Sequence, residues 1–112
     1  MVTTSLKNFL HISDLLQERT TRDKRYLEFL RIPTMSAGVY VLKTGEKDLQ
    51  SPHREDELYY VVSGRARMKA GDEDQSVSAG SVIFVAANVE HRFYDVQEDL
   101  TVLVFFAPAE TS

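Results

Sequence analysis

The chain has no cysteine, only three histidines and no excess of positive charge. Without cysteine there is neither a disulfide framework nor a thiolate metal site. Any metal must therefore be held by histidine and carboxylate. Lys and Arg number 13 against 17 Asp and Glu, a formal net charge of −4. That balance argues against nucleic acid or an anionic membrane as the main partner, because both need concentrated basic side chains. The one basic cluster, TTRDKR over 20–25, is interrupted by Asp23 and reads as a solvated loop. No apolar run approaches the ~20 residues of a membrane span. The start MVTTSLKNFLHISDLLQERT lacks the charged head, long apolar core and small-residue cleavage site of a secretory signal. A cytoplasmic protein is the expectation. There is no internal repeat and no low-complexity tract.

What is present suits one globular domain. The chain has 112 residues, 43% of them hydrophobic and 10% aromatic. A chain of this size buries on the order of 65% of its unfolded surface and stands without staples. Only residues 1–20 read as helical, with Ser13 or Asp14 as the cap of a short turn. From Tyr26 onward the pattern is β-like: YLEFLR (26–31), GVYVLK (38–43), ELYYVV (57–62), ARMKA (66–70), a short QSVS, SVIFV (81–85), HRFYD (91–95) and LTVLVFF (100–106). Turn residues separate these runs, among them Ser63-Gly64, Gly71-Asp72 and Ala87-Asn88. Many short strands so punctuated indicate an all-β sandwich or barrel.

Two runs are apolar on both faces. In 57–62, Leu58, Tyr60 and Val62 oppose Tyr59 and Val61; in 100–106, Leu100, Val102, Val104 and Phe106 oppose Leu103 and Phe105. A strand facing water on one side should alternate with polar residues. These strands need a second cover, supplied by the N-terminal segment or by a second subunit. A homodimer is the expectation.

Of the three histidines, His11 sits between Leu10 and Ile12 with no partner at metal-ligand spacing, and reads as a packing or surface residue. His53 and Glu57 are more informative. On one straight strand their Cα atoms would stand ~13 Å apart, too far for one ion. A helix would join them, but Pro52 and the run ELYYVV oppose it. A hairpin remains, in which His53 ends one strand, Arg54-Glu55-Asp56 turns, and Glu57 opens the next. His91 begins a later strand after Asn88, a residue that tolerates left-handed turns. Three such side chains at strand starts converge at one mouth of a barrel.

The stretch GEKDLQSPHREDELYYVVSG, Gly45 to Gly64, resembles the first motif of the cupin superfamily. That motif is a Gly, five residues, His-x-His, three or four residues, Glu, six residues and Gly. Ser51 takes the first His position, His53 the second and Glu57 the acid. GSVIFVAANVEHRFYD, Gly80 to Asp95, is similar to the second motif and keeps Gly80 and His91 in register. Ala86, Asn88 and Asp95 replace its Pro, second Gly and Asn. The resemblance covers roughly residues 36–107. It implies a double-stranded β-helix, or jelly-roll, barrel over 31–112, with residues 1–30 packing on or between barrels. It also implies one divalent metal (iron, manganese, zinc or nickel) on His53, Glu57 and His91, and a small-molecule ligand or substrate.

With Ser51 in place of a fourth ligand, two imidazoles and one carboxylate form an open triad that suits non-haem iron and leaves room for substrate and O₂. A dioxygenase-type enzyme fits this best, with isomerase or lyase chemistry open. The other reading is a non-catalytic module that binds a small ligand, with or without metal. Tyr59, Ser51 and Phe93 are the candidates for substrate contact. Gln50 and Arg92 are placed at the site's edge, Arg54 and Glu55 at its rim. No general acid or base beyond the ligands is evident, so no catalytic residue is assigned.

Overall fold

The computed structural model describes residues 7–111. One helix, α1 (Ile12–Thr21), precedes six strands: β1 (Tyr26–Ile32), β2 (Met35–Leu42), β3 (Asp56–Ala70), β4 (Glu73–Ser78), β5 (Val82–Val85) and β6 (His91–Ala107). All pair antiparallel in the order β1-β2-β6-β3-β4, with β5 added to β3. The boundary expected between residues 30 and 31 falls inside β1, whose Tyr26 pairs with Tyr40 of β2.

Two strands are longer than their sequence suggests. The runs 57–62 and 66–70 are one strand, β3, and the runs 91–95 and 100–106 are one strand, β6. Ser63-Gly64 is thus no chain reversal. The β3–β6 register slips three times between Val61 and Arg67, so the pair bends without ending. Gly64 sits at that bend with φ +97°, and a Cβ there would run into the Asp99 carbonyl oxygen and lie 2.7 Å from Leu100 Cα. Only glycine combines that backbone with so close a crossing.

The bend wraps the sheet around its own core. Tyr59, Val61, Val102 and Val104 on one side of it meet Met68 and Phe93 from the other, all buried. It also brings chain ends together. Glu57 pairs with Phe106 at one end of the β3–β6 ladder, while Ala70 pairs with His91 at the other. Laid straight, 13 residues of strand would part Glu57 from Ala70 by ~43 Å.

α1 is capped by His11, whose Nδ1 accepts from the Ser13 amide at 3.2 Å. The cap expected at Ser13 or Asp14 is therefore displaced. Both lie in the first turn, where the Asp14 charge favours the positive end of the helix dipole. Leu15 packs on Leu27 and Val39, with Ile12, Leu16, Phe29 and Leu103 around them. Burying one such leucine contributes roughly 1.5–3 kcal/mol. α1 thus covers the outer face of β1, β2 and part of β6. It leaves Leu58, Tyr60, Val82 and Phe84 exposed on β3 and β5. Among the described residues no helix is long and apolar enough to cross a membrane.

Candidate metal centre

Glu57 is the second residue of β3, and strand alternation turns it inward with Tyr59 and Val61. His91 is the first residue of β6 and follows the turn at Asn88, whose φ is +68°. His53 arrives differently. It lies in an irregular segment and not at the end of a hairpin strand; β3 begins only at Asp56. The segment is tied to the turn before His91: the Asn88 amide donates to the His53 carbonyl at 2.6 Å, and the Ala87 amide donates to Asp56 Oδ1 at 2.9 Å. Those bonds set the first histidine beside the second.

The donor atoms of His53, Glu57 and His91 all lie within 4.8 Å of one another. Glu57 Oε1 is 3.1 Å from His91 Nε2 and 3.9 Å from His53 Nε2. On each imidazole the other nitrogen faces an acceptor. His91 Nδ1 lies 2.9 Å from the Val89 carbonyl, and His53 Nδ1 lies 3.3 Å from Glu110 Oε2. The Val89 carbonyl draws the His91 proton to Nδ1 and turns that ring's Nε2 toward the Glu57 carboxylate, the arrangement that metal-ligating histidines adopt, while His53 Nε2 faces both Gln50 and Glu57.

A lone pair facing a carboxylate is repulsive unless a cation lies between them. Both Glu57 oxygens and His91 Nε2 are buried without a hydrogen-bond partner among the described residues. A buried, unpaired carboxylate costs several kcal/mol. The residues therefore fit a divalent ion, and in its absence a proton must serve. Burial alone would lower the His91 pKa, but the Glu57 carboxylate 3.1 Å from Nε2, the Val89 carbonyl against Nδ1 and the charge of Asp48 outweigh it and hold the ring above its ordinary value.

A cavity of about 180 Å³ opens beside the triad, lined by Tyr26, Tyr40, Gln50, His53, Glu57, Tyr59, Val104, Phe106 and Glu110. Most of its polar atoms are tied together. Tyr40 Oη donates to Asp48 at 2.8 Å, Tyr59 Oη donates to Gln50 Oε1 at 3.0 Å, and Gln50 Nε2 donates to Asp48 at 2.9 Å. Gln50 Oε1 is also 3.4 Å from His53 Nε2, nearer than Glu57 Oε1 at 3.9 Å.

Of the three residues expected to contact substrate, Tyr59 lines this cavity. Phe93 is packed in the core, its ring 5.0 Å from that of Tyr59. Ser51 is exposed in an irregular segment, where strand alternation does not aim it; it lines a second opening with Gln50, His91 and Arg92. Arg92 is exposed and lies over the Tyr94 ring. Glu55 is buried and not at a rim; its Oε2 accepts from the Thr111 hydroxyl at 2.7 Å and anchors the C-terminal tail. Arg54 is exposed. Sequence reasoning missed Tyr26, Tyr40, Asp48 and Glu110. The first two stand in strand patterns indistinguishable from core, and nothing in the local sequence of Glu110 points 57 residues back to His53.

This bent antiparallel barrel, with its His-Glu-His group at one mouth, is that of a cupin. The cupin domain family model matches residues 38–106, and the chain belongs to that family. An uncharacterized protein of Streptomyces coelicolor is 48% identical over 100 residues, covering 89% of this chain and 95% of that one. Among solved structures, a protein of Thermus thermophilus superposes with a TM-score of 0.73 at 18% identity, over 92% of this chain and 99% of that one. An RmlC-like cupin of Shewanella frigidimarina gives 0.69 at 20% identity, over 75% of each chain.

Proposed function

We propose that the protein is a small metallo-cupin in which His53, Glu57 and His91 hold one divalent ion and present it to a small polar organic molecule in the adjoining cavity. The observation that carries this is the buried Glu57 carboxylate, which has no hydrogen-bond partner among the described residues and lies with a nitrogen of each of two imidazoles inside one 4.8 Å group. Three protein ligands leave coordination positions free, and a bound metal would supply Lewis-acid or oxygen-binding chemistry there. The finer reading is a dioxygenase-type oxidation of the bound molecule, with iron as the metal that suits it best. In that reading the chain's own residues bind, orient and keep water out. Val104 and Phe106 wall the cavity, Gln50 and Asp48 hold Tyr59 and Tyr40 in place, and Glu110 Oε2 lies 3.3 Å from His53 Nδ1.

A second reading, a ligand-binding module without catalysis, draws on the same network. Tyr40, Tyr59 and Gln50 are already engaged with one another and with Asp48, which leaves no free base among them. The second reading holds with or without the metal, and the ligands of the first are tested directly. His53→Ala, Glu57→Ala and His91→Ala should each weaken metal binding by more than the roughly 10–100-fold that loss of an outer-sphere partner costs, with the β-sheet circular dichroism intact. His11→Ala should change neither. Retention of metal by His91→Ala together with its loss from His11→Ala would place the site elsewhere.

A further inference from the structure

Ser51 stands where the first cupin motif carries a histidine, and it does not line the cavity beside the triad. Its neighbour Gln50 does. Gln50 belongs to the irregular segment before β3, where no strand alternation sets its direction. Two hydrogen bonds set it instead. Its Nε2 donates to Asp48 Oδ2 at 2.9 Å, and its Oε1 accepts from the Tyr59 hydroxyl at 3.0 Å. An ionised carboxylate only accepts, so the Asp48 contact fixes which end of the amide is oxygen. Asp48 is itself held from two strands, accepting from the Phe93 amide of β6 at 2.9 Å and the Tyr40 hydroxyl of β2 at 2.8 Å. The Gln50 oxygen is therefore turned toward the triad and kept there, 3.4 Å from His53 Nε2.

That spacing fits one coordination sphere. Two donors each ~2.1 Å from an ion stand ~3.0 Å apart at a right angle and ~3.4 Å apart at the tetrahedral angle. Glu57 Oε1 and His91 Nε2, 3.1 Å apart, make one such edge, and Gln50 Oε1 with His53 Nε2 makes another. An amide oxygen carries two lone pairs, and the Tyr59 hydroxyl takes only one of them. We propose that Gln50 is a fourth protein ligand of the metal, its side-chain oxygen supplying what Ser51 cannot, a role that rests on the metal reading above. The donor set is then two imidazoles, one carboxylate and one neutral amide oxygen, wider than histidine and carboxylate alone. The added hard oxygen suits Mn(II) or Fe(II) better than Zn(II). Asp48 and Tyr59 are positioning residues for it, since each fixes one end of the amide.

The test is metal binding by the full chain, read in two ways. In Co(II) titrations against a competing chelator, Gln50→Leu should bind about tenfold or more weakly than the wild type, the cost of one lost contact to a charged group. Its Co(II) visible spectrum should also change, because the set of donor atoms has changed. Ser51→Ala should match the wild type in both respects. In wild-type crystals grown with Mn(II), which need no variant to fold, Gln50 Oε1 should lie ~2.0–2.3 Å from the ion. An ion on the triad with Gln50 Oε1 beyond ~3 Å, outside ligand distance, overturns the role of Gln50 alone. So does a Gln50→Leu variant with wild-type affinity and spectrum, or a loss of affinity in Ser51→Ala in its place. Failure of the wild type to bind Mn(II) or Co(II) overturns the metal reading, and the fourth ligand with it.

Discussion

At the scale of single residues, the site is governed by where the His91 proton sits. The Val89 carbonyl draws it to Nδ1 and leaves Nε2 facing Glu57. In the metal-free protein, protonation of His91 relieves that repulsion, and its pKa lies above the ordinary 6.5. The His91–Glu57 pair therefore stabilises the fold fully below the unfolded value and loses that contribution as pH rises through the raised folded value. A metal needs the deprotonated ring, so metal and proton compete for one nitrogen. The rise in Tm on adding metal should be larger near about pH 8 than near about pH 6. An equal rise at both, or a larger one in acid, would exclude His91 as a ligand. The three ligands were legible in the sequence because their spacing matched two motifs jointly. Glu110 was not, since its partner is set by a tail that folds back, with the Glu110 amide donating to Ser36 Oγ and Thr111 binding Glu55.

At the scale of elements, the sequence marks strands well and their continuity poorly. YLEFLR lies wholly in β1, and GVYVLK and SVIFV lie in β2 and β5 but for Lys43 and Ser81, because β-branched and aromatic runs between turn residues have few alternatives. Ser63-Gly64 looks the same whether it reverses a chain or bends a strand. What decides is the partner strand: Gly64 lies against Asp99 and Leu100, a contact between residues 35 apart that no local pattern contains. The consequence reaches the site, because that bend in β3 and β6 folds the Ala70–His91 end of the ladder over Glu57. His53 was misplaced for a related reason. Its segment is held by bonds to the 86–89 turn and not by strand pairing, so the alternation that would have aimed Ser51 inward never applies.

At the scale of the whole molecule, the second cover demanded by the doubly apolar strands is split. α1 shields the outer face where Leu103 lies, while Leu58, Tyr60, Val82 and Phe84 remain exposed. Leu58 pairs with Phe84 and Phe105, and Tyr60 with Val82 and Leu103, so the patch crosses three adjacent strands. A contiguous apolar face of this kind marks an interaction surface, and a homodimer through it is what the account expects. Light scattering should give about twice the 12.7 kDa of one chain, and Tyr60→Lys or Phe84→Glu should shift the protein toward the monomer without unfolding it. A wild-type monomer at micromolar concentration would remove the dimer from the account.

Anomalous diffraction from crystals grown with Mn(II) or Co(II) reads the position of the metal directly. One anomalous peak is expected, with His53 Nε2, a Glu57 carboxylate oxygen and His91 Nε2 each at ~2.0–2.3 Å, ordinary ligand distances. A peak elsewhere, or none with both imidazoles still turned toward Glu57, would contradict it.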